Sequence, residues 1–165
     1  MDSYTLRNSG IKWGRVEKGC WMFRGSFEHS VDSKGRVSVP SRFREILAER
    51  YEGKLVLTKD HDNCVMAYPL EEWERLEDKI KALPQSQPEV RDYMRNFFSN
   101  AAECELDRQG RILIPPALRE KARISKAVMV VGMLNKMEIW DRSAWEARKP
   151  QSGDKIGEAL STLGL

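Results

Sequence analysis

The phrase DSKGRVSVPSRFRE, from Asp32 to Glu45, returns as DRQGRILIPPALRE, from Asp107 to Glu120. Both copies keep Asp, Gly, Arg, Pro, Arg and Glu at an offset of 75 positions. A repeat of this kind constrains the fold before any single residue does, because one supersecondary unit must be built twice and the two copies must share a core. Each unit alone is close to the size at which a chain stops being able to bury enough surface.

The first copy reads as strand, turn, strand, helix. SFEHSVD alternates apolar and polar residues, as a half-buried strand does. SKG supplies the turn, with Gly35 free to take positive φ. RVSV is the returning strand, and Pro40 ends it because it has no N–H for a ladder. The helix SRFREILAER follows, with Phe43, Ile46 and Leu47 on one face. KLVLT and CVMAY are two further strands around the turn KDHDN. The second copy has the same order: AECELD, the turn RQG with Gly110, RILI, the helix ALREKA with Pro116 in its first turn, then AVMVVG and KMEIW. Three fewer residues between helix and strand lower the offset to 72, which matches Asn63 with Asn135, Tyr68 with Trp140 and Trp73 with Trp145.

These elements predict an α+β fold. Duplicated strand-strand-helix-strand-strand units, at 26–73 and 102–145, pack face to face as one pseudo-twofold domain, and two linking helices occupy 74–101. In LEEWERLEDKIKAL the residues Trp73, Leu76, Ile80 and Leu83 form a stripe. In EVRDYMRNFF the residues Val90, Met94, Phe97 and Phe98 do the same. Such stripes predict core rather than a cofactor site. The tail, 146–165, is only weakly periodic and is expected to be disordered.

Residues 1–21 lack periodicity and the apolar centre of a signal peptide. Glu17, Lys18 and Gly19 require the codons GAR-AAR-GGN, a purine-rich run six nucleotides before the codon of Met22. The expectation is a leader that is either flexible or upstream sequence outside the native chain.

Charge locates the candidate site. The net charge is +3, of which the leader contributes two, so bulk charge says little about a nucleic-acid partner. From Asp32 to Arg44 the balance is +3, and from Asp107 to Arg119 it is +2, whereas Pro69 to Leu83 holds five acids against three bases. Positive charge is concentrated in the repeated phrase. A lone arginine after a turn is ordinarily a solvated charge. Arg36 and Arg111, in duplicated turns, sit where a guanidinium can fork onto guanine or phosphate oxygens. Asp32 and Asp107 would repel DNA if free, and are expected to accept turn amides or to hold the arginines. Lys34 and Arg108 lie within the same turns at different offsets. For Arg44 and Arg119, on the helices, an ion pair or a solvated face stands level with a functional role.

Catalysis and metal binding find little support. Glu103, Glu105 and Asp107 could share a strand face, and His61, Asp62 and Cys64 cluster, but neither group recurs in the other copy. No nucleophile triad, phosphate loop or metal-spaced histidine pair is present, and no cofactor is implied. Cys20, Cys64 and Cys104 are odd in number and far apart, which points to a reducing cytoplasm. No apolar run approaches the ~18 residues of a membrane span.

A Gly turn between two strands, then Val-Pro and a short helix, resembles the SpoVT-AbrB type of swapped-hairpin DNA-binding domain. Two such units behind the opening MFRGSFEHSVDSKGRVSVP resemble the MraZ family of bacterial transcriptional regulators, over Met22 to about Trp145. The resemblance implies a ring-like homo-oligomer that binds double-stranded promoter DNA at short repeated elements. Its own division and cell-wall operon would be a target, and its place would be the cytoplasm, on the nucleoid. The family motif falls on Asp32 and Arg36, with Gly35 in the turn, and on Asp107 and Arg111, with Gly110. The resemblance also allows an effect on an rRNA methyltransferase encoded nearby, for which the acidic helix from Leu70 would be the docking surface.

Overall fold

The structure is a computed structural model that describes residues 21–150 and 152–165; the leader expectation, on residues 1–21, lies outside them except at Trp21. The first unit comprises β1 (Ser26–Ser30), β2 (Arg36–Ser38), α1 (Ser41–Arg50), β3 (Lys54–Thr58) and β4 (Cys64–Pro69). Then come α2 (Leu70–Lys81) and α3 (Pro88–Ser99). The second unit comprises β5 (Ala102–Glu105), β6 (Arg111–Leu113), α4 (Pro116–Lys121), β7 (Ala127–Gly132) and β8 (Met137–Asp141), followed by α5 (Arg142–Ala147) and α6 (Gly153–Thr162).

Strand pairing crosses between the units. The six-stranded antiparallel sheet has the order β1-β7-β8-β4-β3-β5, and β2 and β6 form a separate two-stranded ribbon. The first strand of each unit therefore adds to the third strand of the other, β1 on β7 and β5 on β3. The register exposes the pseudo-twofold axis. Val37 faces Ile112, its own counterpart, in the ribbon, and Met66 faces its counterpart Glu138 where β4 meets β8.

Both faces of the sheet are covered, so its central strands read as nearly continuous apolar runs. Alternate residues serve different cores. Leu55, Leu57, Val65, Ala67, Val128, Val130, Met137 and Ile139 join Phe43, Ile46, Leu47 and Leu118 beneath the ribbon and helices α1 and α4. Val56, Met66, Tyr68, Met129 and Trp140 face the other way, toward α2 and α3. There Trp73 stacks on Phe97 at 5.3 Å and meets Tyr68 edge-on at 5.7 Å. The buried Thr58 hydroxyl donates to the Phe97 carbonyl at 2.6 Å, so α3 is fixed to the sheet by a polar contact as well as by area.

Three expectations are corrected by this arrangement. Leu55 and Val128 share one core while Val56 and Met129 share the other, so Val128 is the counterpart of Leu55. Pro69 and Asp141 pair with these two residues. Two of the three missing residues are therefore lost over helix and connection together, through a helix four residues shorter and a following connection two residues longer, and the third inside the β7–β8 hairpin. Leu83 leaves the α2 stripe: the helix ends at Lys81 and Leu83 is exposed. The tail is helical, because Ser152 caps α6 with its hydroxyl accepting from the Lys155 N–H at 3.5 Å. The match of Trp73 with Trp145 extends to a helix, α5, which Asp141 caps by accepting from the Ser143 N–H at 3.2 Å.

Candidate nucleic-acid interface

Each turn is built by its aspartate. In the first, Asp32 Oδ1 accepts from the N–H groups of Lys34 and Arg36, both at 2.9 Å, and Oδ2 accepts from Arg36 Nε at 2.7 Å. The Gly35 N–H closes onto the Asp32 carbonyl at 3.0 Å, and Gly35 has φ +85°. In the second, Asp107 Oδ1 accepts from Gln109 at 2.8 Å and Arg111 at 2.9 Å, and Oδ2 accepts from Arg111 Nε at 2.8 Å. Gly110 repeats the closure at 3.0 Å with φ +73°. The aspartates thus both satisfy turn amides and hold the arginines. Each has its pKa held below the usual carboxylate range, chiefly by the arginine's backbone N–H and further by its guanidinium, against an opposing push from partial burial.

The arginines are partly buried as well as braced. The Arg36 side chain is 30% exposed and that of Arg111 24%. The aspartate takes Nε and orients the guanidinium, leaving the edge that carries the two terminal nitrogens outside that pair. Arg111 is more engaged than Arg36, since its Nη1 also lies 3.8 Å from Asp32 Oδ2. That distance, with the β2–β6 ribbon, sets the two turns side by side on one face. Lys34 and Arg108 are both exposed at the turn tips, one residue out of step, because Lys34 corresponds to Gln109 and Arg108 to Ser33.

Arg44 and Arg119 are neither ion-paired partners of their own helices nor simply solvated. Each is half-buried and crosses to the other unit's turn. Arg44 Nη1 donates to the Gln109 carbonyl at 3.3 Å, and its side chain lies against Gly110, where an added Cβ would overlap Arg44 Cδ and stand 2.6 Å from Nη1. Arg119 covers Gly35, whose Cβ would stand 2.9 Å from the guanidinium carbon, and its Nε donates to the Ile114 carbonyl at 3.1 Å. Sequence spacing could not show the contacts with Gln109, Gly110 and Gly35, because they join residues in different units.

The other candidate groups disperse. Cys64 is buried in the second core, with burial pushing its thiol up to about 12, while His61 and Asp62 are exposed. Glu103 and Glu105 stand exposed on β5, and among the described residues no cluster of His, Cys, Asp and Glu is arranged to hold a metal. Among those residues no helix is long and apolar enough to cross a membrane. On α2, Glu71 is ion-paired to Arg50 at 2.6 Å and also to Arg75, and Glu72 is paired to Arg75 at 2.6 Å. Much of that helix's acidity is therefore spent inside the chain.

Fold and site together define a class: a duplicated α+β domain whose halves exchange strands and set two aspartate-braced, arginine-bearing turns on one face. The family model described as "MraZ protein, putative antitoxin-like" matches residues 22–96 and again 97–154. A relative from Acetivibrio thermocellus, named Transcriptional regulator MraZ, is 48% identical over 147 residues, covering 87% of this chain and 100% of its own. Proteins of the same name from Desulfitobacterium hafniense and Pelotomaculum thermopropionicum are 47% and 48% identical, over 86% and 87% of this chain and 96% and 99% of their own. The chain belongs to the MraZ family. These relatives are named for transcriptional regulation, not for a reaction.

Proposed function

We propose that this chain is a DNA-binding transcriptional regulator that reads double-stranded promoter DNA through Arg36 and Arg111. The observation that carries the reading is the juxtaposition of two arginines, each fixed at Nε by its own aspartate and 2.7–2.8 Å from it. A guanidinium held in this way loses little freedom when its terminal nitrogens fork onto guanine or onto phosphate oxygens. Exposed Lys34 and Arg108 flank the pair and add phosphate contacts. Asp32, Gly35, Asp107 and Gly110 shape the turns.

The finer reading follows from the family. The target is the chain's own division and cell-wall operon, bound at short repeated promoter elements by a ring-like homo-oligomer on the cytoplasmic nucleoid. One pair of turns binds DNA weakly at physiological salt, and linking copies raises apparent affinity through effective concentration. The strand exchange is taken as the swapped-hairpin arrangement of SpoVT-AbrB domains; pairing of β1 with β7 and β5 with β3 supports it. An effect on an rRNA methyltransferase is not favoured, given the internal pairing of Glu71 and Glu72.

The test is a footprint on the DNA upstream of the chain's own gene at two salt concentrations, beside light scattering at micromolar protein. Protection of repeated elements, weakening with salt, by an oligomer is expected. No protection, or a strict monomer, overturns the reading.

A further inference from the structure

We propose that Arg44 and Arg119 are positioning residues that act across the pseudo-twofold axis, each holding the DNA-facing turn of the opposite repeat. The inference rests on the DNA-reading role of the turns and assigns what keeps them in place. Neither turn is held by its own unit alone. The Gly110 carbonyl accepts from the Val39 N–H and the Gly35 carbonyl from the Ile114 N–H, both at 3.0 Å, so each turn is tied on its carbonyl side to the other unit's strand. On its Cα side each turn is covered by the other unit's helix arginine. Arg44 closes on Gly110 and the Gln109 carbonyl, and Arg119 closes on Gly35. Glycine at these positions therefore answers two demands, a positive φ and room for a guanidinium from the other repeat.

Both helix arginines start one turn after a proline that ends the preceding strand, with the Arg44 N–H on the Pro40 carbonyl at 2.9 Å and the Arg119 N–H on the Pro115 carbonyl at 3.1 Å. The helix start thus fixes where each latch begins. Its consequence is coupling. Removing Arg44 loosens the turn that carries Arg111, and removing Arg119 loosens the turn that carries Arg36. The two latches are unequal. Arg44 adds a hydrogen bond to the turn itself, at Gln109, whereas Arg119 bonds to Ile114, at the end of the adjoining strand.

Two readouts on the full chain test this. The first is amide hydrogen exchange without DNA. Arg44→Ala should speed exchange at Gln109–Arg111 about tenfold, the equivalent of losing one hydrogen bond to a charged group, and leave Lys34–Arg36 unchanged. Arg119→Ala should speed exchange at Lys34–Arg36 by a smaller factor, since the Arg119 side chain covers Gly35 without a hydrogen bond to that turn, and leave Gln109–Arg111 unchanged. The second is a set of double-mutant cycles on operator affinity. Arg44→Ala should add little to Arg111→Ala but its full effect to Arg36→Ala, with the mirror result for Arg119→Ala. Full additivity in all four pairs would make the helix arginines independent DNA contacts and overturn the proposal. So would coupling within a repeat rather than across, or exchange changes in the variant's own turn. If Arg36→Ala and Arg111→Ala both bind DNA like the unaltered protein, the DNA reading fails, and with it the role given to the latches, even where crossed exchange persists.

Discussion

The two turns are one design executed with different residues. Both use an aspartate to accept two amides and an arginine Nε, at distances that agree within 0.1 Å. They differ in what surrounds that frame. The first turn exposes Lys34, sits in the more basic window and carries the more exposed arginine. The second exposes Arg108, and its arginine also approaches Asp32, which draws on its charge. The helices behind them differ too, ten residues in α1 against six in α4. Duplication conserved the part that needs an exact hydrogen-bond set and let the rim diverge, since rim charges act through a screened field that tolerates displacement.

The largest expected effect comes from separating the halves. A chain ending at Gln87 loses β5, β6 and β7, the partners of β3, β2 and β1. It should be unfolded or aggregated, or should self-pair to replace the missing half. A soluble monomer with a cooperative unfolding transition would break the shared-core account.

Next come the reading arginines. Arg36→Ala and Arg111→Ala should both leave the fold and oligomer size intact and weaken operator binding. A lost bidentate base contact costs ~1–3 kcal/mol per site and relaxes sequence preference, whereas a lost phosphate contact weakens all DNA alike. An oligomer carries the change in every subunit, so the apparent loss should exceed that of one site. Arg36→Ala should be the worse of the two, because Arg36 is less engaged with neighbouring carboxylates. Titrations at matched salt that rank Arg111→Ala as the worse would invert the comparison.

Glycine substitution sharpens it on the stability side. Gly35→Ala and Gly110→Ala each force a Cβ into positive φ, at a cost of about 1–2 kcal/mol. Both new methyls crowd the opposite repeat's arginine, but the one at Gly110 overlaps Arg44 Cδ whereas the one at Gly35 stands 2.9 Å from the Arg119 guanidinium carbon, so Gly110→Ala demands the larger shift. Thermal unfolding should therefore show the larger loss for Gly110→Ala, and part of the difference should vanish when Arg44→Ala is already present.

The smallest effect is on acid stability. Asp32 and Asp107 have folded pKa values below their unfolded ones, near 3.9. Their contribution is therefore complete above about pH 4 and is lost as pH falls through the folded values. Glu71 and Asp141 are lowered as well and share the acid limb. Asp32→Asn and Asp107→Asn should each flatten part of the decline below about pH 4 in unfolding measurements. An unchanged acid limb would mean the turns do not depend on their carboxylates.

The elements and the turns follow from local sequence. A strand, a turn glycine or a helix face depends on residues within a few positions of one another, so alternation, Gly35 and Gly110, and the stripe of Phe43, Ile46 and Leu47 were all legible. Asp32 and Asp107 were legible for the same reason, because their partners lie two and four residues away. The helical tail was not legible from its weak periodicity; its start is marked by the Ser152 cap. Which unit each strand joins, where the missing residues fall, and where Arg44 and Arg119 go became visible in the folded chain alone. A strand edge offers the same unpaired N–H and C=O groups to its own unit as to the other, so local pattern cannot choose between them. The choice is made by which pairing lets two small units bury one common core, and that is a property of the whole chain.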